Sequence, residues 1–116
     1  MIYSIEYTND IPEGFNGWAH LWHIKIRPTH KDDIGLLEHE KVHVRQFWQL
    51  GFLHPCVYRF WAKYRLDCEV EAYREQLKYS KEKEADSKLF ASFIATKYDL
   101  KITEEEALGQ LLSRPS

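Results

Sequence analysis

At 116 residues and 13.9 kDa the chain has room for one compact domain, residues 1–116, and not for two. Hydrophobic residues make up 44% and charged residues 29%, with six Phe, seven Tyr and four Trp, a composition that builds a packed core and excludes intrinsic disorder. Sixteen Lys and Arg against eighteen Asp and Glu leave a formal charge of -2, so nothing in the balance favours nucleic acid as a partner.

Met1 to Tyr7 sets Ile2, Ser4 and Glu6 against Tyr3, Ile5 and Tyr7, which predicts a strand, and Asn9 to Gly14 is turn chemistry. Trp18 to Arg27 alternates Trp22, Ile24 and Ile26 with His23, Lys25 and Arg27 until Pro28, which predicts a second strand with one apolar and one basic face, placed at a sheet edge. The period then changes. Asp32 or Asp33 caps a helix over Asp33–Leu50 that carries Ile34, Leu37, Val44 and Phe47 on one face and ends at Gly51. Phe52 to Pro55 reads as a connector, and Val57, Phe60, Trp61, Tyr64, Leu66 and Val70 continue at helical spacing to about Ser80, with a bend near Asp67. Lys81 to Glu84 is a solvated charge run. Leu89, Phe93, Ile94 and Tyr98 mark a third amphipathic helix, and Thr103 with Glu106 forms a capping box opening a last one through Leu112. The fold class is α+β: a small mixed or antiparallel sheet over about 1–28, then four helices over about 33–112.

No apolar run approaches the roughly 20 residues of a membrane span, and the mean hydropathy is -0.54, so no membrane partner is expected. Met1 to Glu6 has no basic region leading into an apolar core and a cleavage site, so the expected compartment is cytoplasmic. Cys56 and Cys68 are then expected to be reduced thiols.

His39-Glu40-Lys41-Val42-His43 is an HExxH motif in the middle of the first predicted helix. Histidines four apart share one face at adjacent turns, so both imidazoles can reach one Zn²⁺, and Glu40 beside them can take a proton from water at the metal. Six His and twelve Glu would yield this pattern by chance in roughly 3% of such chains, and Leu36, Leu37 and Val44 around it place it on a helix that is packed rather than wholly solvated. His20, His23, His30 and His54 stand alone and read as hydrogen-bonded residues. A catalytic zinc needs a third ligand. Cys68-Glu69-Val70-Glu71-Ala72-Tyr73 offers two carboxylates, 26 and 28 residues after His43, separated by about 200° around a helix, so only one can face the metal. Glu69, flanking Leu66, Val70 and Tyr73, is favoured; Glu71 is the alternative, and an ordinary surface pairing with Arg65, Arg74 or Lys78 is the competing role for both.

His39 to Gln46, followed by a helix with Glu69-Val70-Glu71-Ala72-Tyr73, resembles the gluzincin metallopeptidases, above all minimal single-domain ones with a Glu-x-x-Ala-Asp third-ligand helix; the resemblance spans about Trp18 to Tyr73. It implies a zincin-like fold, one Zn²⁺ per chain held by His39, His43 and Glu69, Glu40 as general base and acid, and peptide or protein substrates. Tyr73 stands where that pattern often has Asp, and supplies no charge to a ligand histidine. Gln46 and Gln49 occupy the places of the Gly and His that would make a metzincin. The resemblance also implies that the Trp18 to Arg27 strand pairs with extended substrate. Tyr64, Tyr73 and His54 are candidates for steadying the oxyanion. The expected function is zinc-dependent hydrolysis of peptide bonds. The alternatives are a zincin-fold metal-binding or interaction module without turnover, and a latent enzyme whose Thr103 to Ser116 segment covers the cleft.

Overall fold

In a computed structural model that describes residues 1–113, the N-terminal alternation forms three strands: β1 (Ser4–Tyr7), β2 (Gly17–His20) and β3 (His23–Ile26). The sheet is mixed, in the order β1-β3-β2, with β1 parallel and β2 antiparallel to β3. The expected single strand over Trp18 to Arg27 is therefore a hairpin, turned at Leu21-Trp22 with Leu21 in the left-handed region at φ 56°. Leucine is a poor residue for that conformation, and no Gly or Asn advertises the turn in the sequence. The edge placement is corrected too: β3 is the central strand, Ile24 and Ile26 are buried, and β2 is one of the two edges. The polar face of β3 is matched by neighbours, with His23 Nε2 3.0 Å from Glu6 and Lys25 Nζ 3.1 Å from Asp10. Arg27, just beyond the strand, donates to the carbonyls of Asn9, Ile11, Pro12 and Phe15 and so shapes the loop between β1 and β2.

After a 3-10 turn at Pro28–His30, the helix α1 (Ile34–Leu50) starts on Asp33, whose side chain accepts from Leu36 N–H, and stops at Gly51 at φ 64°. Val44 packs with Ile24 and Ile26 in the core between helix and sheet, joined by Leu36 and Leu37. The long second helix of the sequence reading is two. α2 (Leu53–Phe60) and α3 (Ala62–Leu77) are separated at Trp61, which is extended at φ -121°, ψ 101°, six residues before the expected bend at Asp67. The expected connector belongs to α2, because Pro55 sits in its first turn, where the missing N–H has no helical partner to lose. The break has a tertiary cause: Arg65 donates to the carbonyls of Tyr58 and Arg59 at the end of α2, and to those of Tyr98 and Asp99 beyond α4 (Lys83–Lys97). Helical periodicity carries no record of such a contact.

A second core unites Val70 and Tyr73 of α3 with Phe90, Ala91 and Ile94 of α4 and with Ala107 and Leu111 of α5 (Glu104–Leu112). The capping box of Thr103 and Glu106 forms as expected. Arg74 ties α5 down by donating to the carbonyls of Gln110 and Leu111. The helix thus completes a core, and none of its residues lines the cleft described below, so the cover expected of Thr103 to Ser116 is not formed by α5; Arg114 to Ser116 lie outside the described residues. No helix of the described residues is long and apolar enough to cross a membrane.

Charge-assisted bonds to backbone carbonyls outweigh an exposed ion pair. Arg27→Ala should therefore lower unfolding free energy by about 2 kcal/mol in urea titrations, and Lys25→Ala by no more than about 0.5 kcal/mol.

Candidate metal centre

The helix α1 is covered by the sheet on the Val44 side, and its opposite face meets α3. His39 and His43 lie along that junction, Glu69 reaches them from α3, and Glu40, on the Val44 side of the helix, lies beside β2. His39 and Glu40 are 4% exposed and Glu69 2%, values at which an ionisable group must find a partner or lose its charge. Glu69 Oε1 is 3.2 Å from His43 Nε2 and 3.6 Å from His39 Nε2, and one donor atom from each of the three residues falls within 4.8 Å of the others. Two imidazole nitrogens and one carboxylate oxygen converging with a base beside them is a donor set that suits a divalent cation. It is the one group of three or more such donors among the described residues. Glu71 is turned elsewhere: its carboxylate accepts from Gln46 Nε2 at 2.8 Å and stands 3.3 Å from Arg45. Arg65 and Arg74 spend their donors on carbonyls, and Lys78 pairs with Glu75, so none of the expected surface cations holds Glu69.

The electrostatics of the cluster follow from burial. His39 is driven down to about 3, first by desolvation and then by His43, which leaves a neutral imidazole. Burial also opposes the charged form of His43, but Glu69 overrides it and raises the group to about 9. Glu69 is held below its ordinary range by His43 in spite of its burial. Glu40 is raised by desolvation to about 8, and Glu69 pushes the same way. Near pH 7 the cluster thus holds one positive charge on His43 and one negative on Glu69, with Glu40 protonated. A dication that displaces the His43 proton and lets Glu40 ionise leaves the buried group neutral again, which is the electrostatic sense in which these residues fit a metal.

Supporting contacts surround the donors. His43 Nδ1 meets Gln46 Oε1 at 2.9 Å, which fixes Nδ1 as the protonated nitrogen in the neutral tautomer and leaves Nε2 free as a ligand. Gln46 is anchored in turn by Cys68 O and Glu71. Tyr58 of α2 donates to Glu69 Oε2 at 2.5 Å, and burial and the Glu69 charge keep its phenol protonated. His39 Nδ1 and Gln76 Oε1 are both buried without a hydrogen-bond partner. Tyr73 packs its ring edgewise on His39 at 4.3 Å and bonds its hydroxyl to Tyr98, so it offers His39 contact rather than a hydrogen bond. Of the oxyanion candidates, Tyr73 and His54 line the cleft, while Tyr64 faces away and bonds His54 Nδ1 at 2.8 Å. Burial lowers His54 and keeps it neutral. Burial raises the Cys68 thiol to about 12, and Cys56 is exposed; both are free.

Sequence reading missed Gln46 as a supporting residue and Tyr58 altogether. Gln46 had a legible signal, since position i+3 from His43 shares its helix face. Tyr58 had none, because its approach depends on the break at Trp61.

The cleft over the cluster has a volume of about 880 Å³. Its floor includes Glu40, and one wall is β2. A Cβ on Gly17 would lie 2.8 Å from Glu40 Oε2, so glycine is what lets the strand pass this close. Arg27 N–H donates to Asn16 O at 2.9 Å in the hairpin register, and antiparallel alternation then turns the backbone groups of Gly17 and Ala19 outward to the free edge. Comparison with known protein families, curated proteins and solved structures finds no match to this chain.

Competition against a chromogenic chelator distinguishes the roles. Glu69→Gln should weaken zinc uptake at least about tenfold and Gln46→Leu by roughly 10–100-fold, while Glu71→Gln stays within about twofold of the parent.

Proposed function

We propose that the chain is a zinc-dependent metallopeptidase of the gluzincin kind, on a zincin-like fold, in which His39, His43 and Glu69 hold one Zn²⁺ and Glu40 serves as general base. The observation that carries the reading is Glu40: a fully buried carboxylate beside the donor set, not one of its members, opening onto a cleft. A purely structural site has no use for such a group, and its desolvation is a standing cost to the fold. This favours turnover over an inactive binding module.

Bound zinc supplies Lewis acidity for an attacking water and for the scissile carbonyl. The chain's own residues do the rest. Glu40 takes the proton of the attacking water and returns it to the departing amine. Without metal, burial raises this carboxyl to about 8; a dication held beside it would favour the carboxylate, the form that accepts the proton. Gln46 and Tyr58 keep His43 and Glu69 oriented. The outward backbone groups of Gly17 and Ala19 align an extended peptide, so the strand contact expected of Trp18 to Arg27 narrows to β2. His54, neutral and held by Tyr64, is the side chain best set to donate to the developing oxyanion.

Glu40→Gln is the decisive variant. It should retain zinc at the parental stoichiometry and lower peptide hydrolysis by at least about 10²-fold. Zinc-loaded Glu40→Gln cleaving a peptide library at the parental rate would contradict the mechanism.

A further inference from the structure

The cleft is charged unevenly along its length. The face of α4 that borders it presents Asp86, Leu89, Phe90, Phe93 and Lys97 in order, a stripe at helical spacing that is acidic at one end, apolar through the middle and cationic at the other. Asp86 accepts from Ser80 Oγ at 2.5 Å. Lys97 has no carboxylate within ion-pair distance among the described residues. Its ammonium lies 4.0 Å over the ring of Phe93 and 5.2 Å over that of Phe15, and donates to the carbonyl of Gly14. Two aromatic faces and a carbonyl hold the cation in place and leave its charge uncompensated beside the cleft.

Its position relative to the strand gives it a meaning. Phe15 stands two residues before Gly17, packs on Trp18 at 5.1 Å and on Tyr98 at 5.9 Å, and Tyr98 bonds Tyr73, which packs on His39. The aromatic wall therefore runs from the donor set to the start of β2, where Lys97 sits. A peptide pairing with an edge strand prefers the antiparallel direction, which carries its C-terminal side toward that start.

We infer that the cleft selects peptides with a carboxylate on the C-terminal side of the scissile bond, read by Lys97. The carboxylate can come from a chain terminus or from an acidic side chain. This rests on the hydrolase reading for the position of the scissile bond, and not for the binding of the anion.

The test uses the full chain carrying Glu40→Gln, zinc-loaded, and three acetylated tetrapeptides, Ala-Gly-Phe-Ala as free acid, the same as amide, and Ala-Gly-Phe-Asp as amide, with binding followed by tryptophan fluorescence. At least one of the two carboxylate peptides should bind roughly tenfold tighter than the neutral amide, and which one does identifies the source. Lys97→Met should erase the preference, and Lys97→Arg should keep it. Equal binding of all three peptides, no binding by any, or a preference that survives Lys97→Met would overturn the inference. Cleavage of the same peptides by the unsubstituted chain is scored separately: carboxylate preference without cleavage removes the hydrolase reading and leaves the anion-selective cleft, and cleavage without preference does the reverse.

Discussion

Everything else in this molecule is arranged around one costly contact, the burial of Glu69 against His39 and His43 between two helices. A carboxylate 2% exposed cannot stay charged in an apolar interior without partners, and here it has His43 on one oxygen and Tyr58 on the other. α1 and α3 meet at this contact, α2 brings the phenol of Tyr58 to it, and Gln46 joins His43 to the backbone of α3. Two apolar cores flank the site and carry the stability that it forgoes: the sheet with Val44 on one side, and α3 with α4 and α5 on the other.

Three arginines hold the chain around that centre by one shared device. Arg27 gathers carbonyls of the loop before β2, Arg65 those at the ends of α2 and α4, and Arg74 those at the end of α5. A helix C-terminus leaves carbonyls without partners, and a guanidinium has five donors in a fixed plane to offer them. Arg65 in particular joins α2, which supplies Tyr58 and His54, to the Tyr98 corner of the aromatic wall, so one side chain couples both walls of the cleft.

What the sequence made legible was local. The span of α1, its Asp33 cap and Gly51 stop, the capping box of α5 and the α+β order all rest on spacing and on residue types with strong positional preferences, and the structure has them. The HExxH spacing and the angular separation of Glu69 and Glu71 are also local geometry, and the structure brings His39, His43 and Glu69 together with Glu71 turned toward Arg45. What escaped was tertiary. The hairpin turn at Leu21 uses a residue that disfavours it, the break at Trp61 is held by an arginine four residues later, and the centrality of β3 follows from β1 pairing across the loop it precedes. No window of sequence contains those causes.

The claim on which the functional account depends is that His39, His43 and Glu69 bind a metal, and elemental mass spectrometry of the protein purified without chelator tests it most directly, with His39→Ala alongside and circular dichroism to verify both folds. The account predicts about one zinc per parental chain and its loss in the folded variant. A folded parental chain that neither carries zinc nor takes it up when offered, or one whose zinc persists in His39→Ala, would contradict it.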